Sequence, residues 1–149
     1  MPDISIYPYP PAQLECPIYH PIHQVSASRI LVVEDSPLQQ KLMVILLRQL
    51  GYNIGTANNG LDAIFAIRLM WYDVILMDCQ LPLMDGLQAT KFIRQSEPRT
   101  GKPIIIVGIS SSVSEQECLK AGMNDYLPKP VNYSILSAML GRWGRAHYH

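Results

Sequence analysis

Four charged residues have the types needed to handle a phosphoryl group or a divalent cation: the neighbours Glu34 and Asp35, then Asp78, then Lys129. They lie far apart along the chain, so only a fold can bring them together. Three carboxylates crowded into one place repel one another and titrate as a coupled set, which calls for a cation. Oxygen-only ligands suit Mg²⁺, which uses one or two carboxylates, keeps several waters and shares phosphate oxygens. A cation there would neutralise an incoming phosphoryl group while one carboxylate attacks it in line. Lys129 would add a compact positive charge for a phosphoryl oxygen.

The elements that must position these residues are legible from Ser28 onward, where short β-rich apolar runs alternate with helical periods. The pattern predicts strands over 29–33, 53–57, 73–77, 104–109 and 126–127, and helices over 37–50, 60–70, 87–95, 114–121 and 133–140. The first helix has clear punctuation: Ser36 as N-cap, Pro37 at the first helical position and Gly51 just past the end. Ser114 and Glu117 have the spacing of a capping box. The stripe Leu38, Leu42, Ile45 and Leu46 is expected to face the core. Runs such as Val74-Ile75-Leu76-Met77 and Ile104-Ile105-Ile106-Val107 are apolar throughout, as in strands covered on both faces. Five βα repeats predict an α/β fold, a doubly wound parallel sheet with helices on both faces. In such a sheet the ligand site lies outside the carboxyl ends of the strands. Strand one ends in Glu34 and Asp35, strand three in Asp78, and strand five runs into Lys129 and Pro130, so the four groups should converge.

The 149 residues, 48% of them hydrophobic, suit one domain with tails. Twelve basic residues balance twelve acidic ones, so no overall charge draws the chain to nucleic acid or an anionic membrane. Cys16, Cys79 and Cys118 are an odd set without C-x-x-C spacing, which argues for a reducing, cytoplasmic setting rather than a disulfide framework. No apolar run is long enough to span a bilayer. Residues 1–27 hold half the prolines and read as an irregular N-terminal extension, 28–142 as the folded domain and 143–149 as a C-terminal tail. The four histidines lie in these tails with no partner pattern.

The segments Leu31-Val32-Val33-Glu34-Asp35-Ser36, Met77-Asp78-Cys79-Gln80-Leu81-Pro82-Leu83-Met84-Asp85-Gly86 and Ala121-Gly122-Met123-Asn124-Asp125-Tyr126-Leu127-Pro128-Lys129-Pro130 resemble the signature blocks of receiver domains of two-component signalling. The resemblance implies a CheY-like, flavodoxin-like sheet of order 2-1-3-4-5. It also implies Asp78 as the phosphorylated residue, Glu34 and Asp35 as the acidic pair, the Gln80 backbone carbonyl as a fourth metal ligand, and Lys129 as the phosphoryl contact. Pro130 matches a proline the family usually holds in cis. The implied cofactor is Mg²⁺, and the implied donor is a histidine kinase or a histidine phosphotransfer protein. An unnamed output protein would bind the face of helix four, strand five and helix five, where a homodimer would also form. With no effector domain after the last helix, the expectation is a single-domain response regulator rather than an enzyme.

The pattern departs in one place. Receivers usually end strand four with a Thr or Ser whose hydroxyl couples the phosphoryl group to an aromatic on strand five, here Tyr126. Counting from Pro103 puts Gly108 in that slot, while a slipped strand end would present Ser110, which lies on the same face, with Ser111 beside it. A bare slot favours the alternative of a weakly switching receiver that serves mainly for docking. Haloacid dehalogenase phosphatases carry a second aspartate two residues after the nucleophile, where this chain has Gln80, and no phosphate-binding loop follows strand one.

Overall fold

In the structure, a computed structural model, residues 28–98 and 101–145 are described, without side chains for 144 and 145. The expected extension over 1–27 therefore lies outside the described residues. Five strands, β1 (Arg29–Val33), β2 (Asn53–Ala57), β3 (Val74–Asp78), β4 (Ile105–Ser110) and β5 (Asp125–Pro128), form one parallel sheet of order β2-β1-β3-β4-β5. Five helices separate and follow them: α1 (Pro37–Gln49), α2 (Gly60–Leu69), α3 (Gly86–Ser96), α4 (Glu115–Ala121) and α5 (Tyr133–Arg145). Strand alternation divides the core in two. Leu31, Val33, Ile75, Met77 and Ile106 pack toward α2, α3 and α4, whereas Ile30, Val32, Val74, Leu76 and Val107 pack toward α1 and α5.

The local signals act as expected. The Ser36 hydroxyl caps α1 by accepting from the Gln39 amide, and Pro37 opens the helix. Ser114 and Glu117 complete a capping box at α4, as do Asp85 and Gln88 at α3. Asn124 and Asp125 shape the entry to β5. The Asn124 side-chain oxygen accepts from the Ile106 amide and the Arg94 guanidinium, which tie the α4–β5 turn to β4 and α3.

Three expectations need correction. Leu38 (66% exposed), Leu42 and Ile45 face solvent, and it is Leu47, with Met43 and Leu46 beside it, that α1 presents to the sheet. The helix carries two adjacent apolar stripes, and a helix lying on a sheet buries only one face. β3 and β4 each begin and end a residue later than expected, at Val74–Asp78 and Ile105–Ser110, and Asp73, just ahead of β3, accepts the Arg29 amide in its carboxylate. α5 continues to Arg145 through Gly141 and Gly144, past both the expected helix end and the domain boundary at 142. Tertiary contacts outweigh glycine's poor helix propensity there: Trp143 packs on the core and donates its indole N–H to Asp125, which also pairs with Arg142.

Candidate functional site

Asp78 ends β3 and is only 4% exposed, a burial a carboxylate tolerates only when it is paired. Its Oδ1 accepts from the Gln80 amide at 2.9 Å and its Oδ2 from Lys129 Nζ at 2.9 Å. Lys129 also reaches Glu34 Oε1 at 3.4 Å. Burial alone would lower the Lys129 pKa, but its hydrogen bond to Asp78 and the charges of Asp78 and Glu34 outweigh it and hold it up. The Lys129–Pro130 peptide bond is cis. These groups share a cleft of about 620 Å³ with Ser111, Leu42 and Tyr133.

The loop after Asp78 closes tightly back on it. The Gly86 amide donates to the Cys79 carbonyl, and a Cβ at Gly86 would press on the Asp78 carbonyl and lie 2.9 Å from the Cys79 Cα. Gly86→Ala should therefore force backbone apart and cost about 1 to 3 kcal/mol. An unchanged denaturant midpoint would show that the loop gives way freely.

Carboxylate oxygens of Glu34, Asp35 and Asp78 all lie within 4.8 Å of one another. Asp35 is exposed, and its carboxylate has no hydrogen bond or ion pair among the described residues. One cationic lysine against three carboxylates leaves a negative surplus of oxygen donors, which is the donor set a hard divalent cation needs, so the residues fit Mg²⁺. The surplus also shows in Glu34. Burial, and then the charge of Asp78, raise its pKa against the lowering effects of the Ser36 amide and Lys129.

A carboxyl whose folded pKa is raised adds stability below its unfolded pKa and loses it as pH rises through the folded value. In metal-free buffer, Glu34→Gln should thus be more stable than the wild type at neutral pH, with the difference shrinking as pH falls through the carboxylate range. Parallel melting-temperature profiles for the two proteins would contradict a raised Glu34 pKa.

The residues expected to transmit the state of the site fall in unexpected surroundings. Gly108 pairs with Met77 and Tyr126 in the sheet, and its missing side chain would point at Met123 Sδ, Cys118 Sγ and Cys79 Sγ. The Ser110 hydroxyl is already engaged, accepting from the amides of Ser112 and Val113 at 3.0 and 2.8 Å, so it pins the β4–α4 loop. Tyr126 packs against the α4 side of the core and donates its hydroxyl to the Ser110 carbonyl at 3.3 Å. Of the three serines after Gly108, Ser111 lines the Asp78 cleft. Gly108→Thr would have to displace Met123 and wedge between the two thiols. It should lower stability by about 1 to 3 kcal/mol instead of simply adding a hydroxyl, as a denaturant titration would show.

Sequence reasoning missed the sulfur cluster, because Cys79, Cys118 and Met123 meet only across three different segments. It also missed the exposed apolar stripe of α1, whose residues read equally well as core. The signal available for that stripe was that apolar residues on α1 exceed what one helix face can bury.

The fold is a doubly wound parallel α/β module with a carboxylate trio and a lysine at the carboxyl edge of its sheet. The family model described as the response regulator receiver domain matches residues 30–141, and the chain belongs to that family. Over 78% of its length it is 36% identical to probable histidine kinase 1 of Oryza sativa subsp. indica, and the match spans only 15% of that relative. Among solved structures it resembles the receiver domain of sensor histidine kinase PA1611 from Pseudomonas aeruginosa PAO1, which has a magnesium ion coordinated in its active-site cleft. That likeness has a TM-score of 0.71 and 39% identity, covering 79% of this chain and 98% of the other. It also resembles the receiver domain of the response regulator Ssk1, solved with the Saccharomyces cerevisiae histidine phosphotransfer protein Ypd1. There the TM-score is 0.77 and the identity 32%, covering 83% of this chain and 93% of that one. Receiver domains are signalling modules of two-component systems. Among the described residues, no helix is long and apolar enough to cross a membrane.

Proposed function

We propose that this domain accepts a phosphoryl group on Asp78 from a phosphohistidine on a histidine kinase or histidine phosphotransfer protein. Mg²⁺ would be held by Glu34, Asp35, Asp78 and the Gln80 backbone carbonyl, supplying charge neutralisation for the incoming group. The observation that carries this reading is the buried Asp78 carboxylate, fixed by the Gln80 amide and Lys129 within 4.8 Å of two further carboxylates. An Asp78 oxygen attacks phosphorus, the P–N bond breaks, and its electron pair returns to the donor imidazole. Lys129 then transfers its hydrogen bond from Asp78 to a phosphoryl oxygen. The folded domain, which continues through α5 to Arg145, carries all of these residues, and output would pass through protein contact or onward transfer.

The α1 surface supports a protein donor. Leu38, Leu42 and Ile45 form an exposed apolar stripe, and Leu42 itself lines the cleft. A partner seated there would bury that stripe and bring its histidine to Asp78. The test is to incubate the protein with Mg²⁺ and a small phosphodonor and to map the adduct by mass spectrometry. A single phosphoryl group on Asp78 is expected. Phosphorylation elsewhere, or none with Mg²⁺ present, rejects the reading.

A second reading, a receiver that switches weakly and serves mainly for docking, rests on two observations. Gly108 offers no hydroxyl, and Tyr126 is already seated on the Ser110 carbonyl. If BeF₃⁻ with Mg²⁺ shifts the resonances around Asp78 but leaves those of Tyr126 and α4 unmoved, docking is the better description.

A further inference from the structure

Cys79 follows the acceptor residue directly, and Cys118 sits on α4. Their sulfurs lie 3.5 Å apart, with both side chains buried, at 2% and 0% exposure. The two elements are separated by β4, and the sulfurs meet over Gly108, where a Cβ would lie 3.1 Å from the Cys118 sulfur and 3.4 Å from that of Cys79. The bare slot is thus where two thiols face each other. Both thiols are free, and burial pushes each of them up in pKa, so the closed structure protects them. That protection is local. Of the residues of α4, only Cys118 and Ala121 are buried, so little apolar surface holds the helix to the core, and its local opening is the route by which an oxidant would reach Cys118.

We propose that Cys79 and Cys118 are a redox modification site, closed to a disulfide by a hydroperoxide, which ties the acceptor loop covalently to α4. When α4 opens, the Cys118 thiol reduces the peroxide by two electrons, giving a sulfenic acid and an alcohol, or water when the oxidant is hydrogen peroxide. As α4 returns, the Cys79 sulfur attacks the Cys118 sulfur. The S–S bond forms, the S–O bond breaks, and the hydroxyl leaves as water with the Cys79 proton. The sulfurs need only close from 3.5 Å to a bond length of about 2 Å. The product links the loop that follows Asp78 to the helix beside Tyr126, so oxidation would join the proposed acceptor site to α4 without needing a phosphodonor.

The test uses the full chain carrying Cys16→Ser, which leaves only these two cysteines. After hydrogen peroxide, at a dose that fully oxidises the guanidinium-unfolded chain, the protein is unfolded, alkylated and weighed. The expected result is a monomer that falls from two alkylated thiols to none, lighter by about 2 Da before alkylation and restored by dithiothreitol. Cys118→Ala and, separately, Cys79→Ala in the same background should each abolish the intramolecular bond. Hydrogen exchange over α4 should slow at least tenfold on oxidation of the parent. Two thiols still alkylatable after oxidation, only intermolecular disulfides, or an oxidised protein whose α4 exchanges at the old rate would each overturn the proposal.

Discussion

Asp78→Asn is expected to bring phosphoryl incorporation to background while the domain stays folded. A neutral amide of nearly the same shape keeps the Gln80 amide bond through its oxygen, but it has no carboxylate lone pair with which to attack phosphorus. Structurally the change has two opposed effects. Lys129 loses its 2.9 Å partner, although Glu34 remains at 3.4 Å to receive it. At the same time one of three mutually repelling carboxylates is neutralised. Net stability should therefore move little, and the loss of acceptance cannot be blamed on unfolding. Incubation with a small phosphodonor and Mg²⁺, followed by intact mass, checks this. An acid-labile phosphoryl group at wild-type yield on Asp78→Asn would remove Asp78 from the acceptor role.

Asp35→Ala should lower Mg²⁺ affinity by about tenfold or more, since a direct carboxylate ligand is lost. The reason for choosing this carboxylate is its freedom: Asp78 and Glu34 are engaged by Lys129 and backbone amides, while Asp35 is exposed with no partner among the described residues. Without metal, the same change should leave stability equal or raise it by about 1 kcal/mol, because a charge 4.8 Å or less from two others is removed and solvent screens the pair. Titration calorimetry with MgCl₂ and denaturation in chelator report the two effects separately. Unchanged affinity together with lowered metal-free stability would mean that Asp35 is structural.

The two variants divide the site between chemistry and metal. Failure of Asp78→Asn would leave a metal site without an acceptor, whereas failure of Asp35→Ala would leave an acceptor whose cation is held elsewhere. Neither result bears on the thiol pair, which needs no metal and no phosphoryl group.

The amino-acid sequence by itself determined the elements and the place where they meet. Ser36, Pro37 and Gly51 mark the ends of α1 because caps and φ restrictions act over a few residues. The unbroken apolar runs of β3 and β4 mark buried parallel strands because both faces are covered. Asp78, the Glu34–Asp35 pair and Lys129 could be placed at one edge because a parallel sheet puts all its strand ends together.

Only the tertiary structure decided which side of an element is inside and which partner a side chain finds. Leu38, Leu42 and Ile45 have the spacing of a core stripe, yet the sheet takes the neighbouring stripe through Leu47. The choice depends on which face of α1 meets the core residues of the strands beneath it. The Ser110 hydroxyl has the right chemistry and strand parity for a coupling role, but the loop's own amides are nearer and claim it. Gly108 could be recognised as a gap, but not as the floor beneath two thiols and a thioether. Those sulfurs come from the β3–α3 loop, from α4 and from the α4–β5 turn, and only packing sets their separation, since neither a propensity nor a periodicity carries that distance.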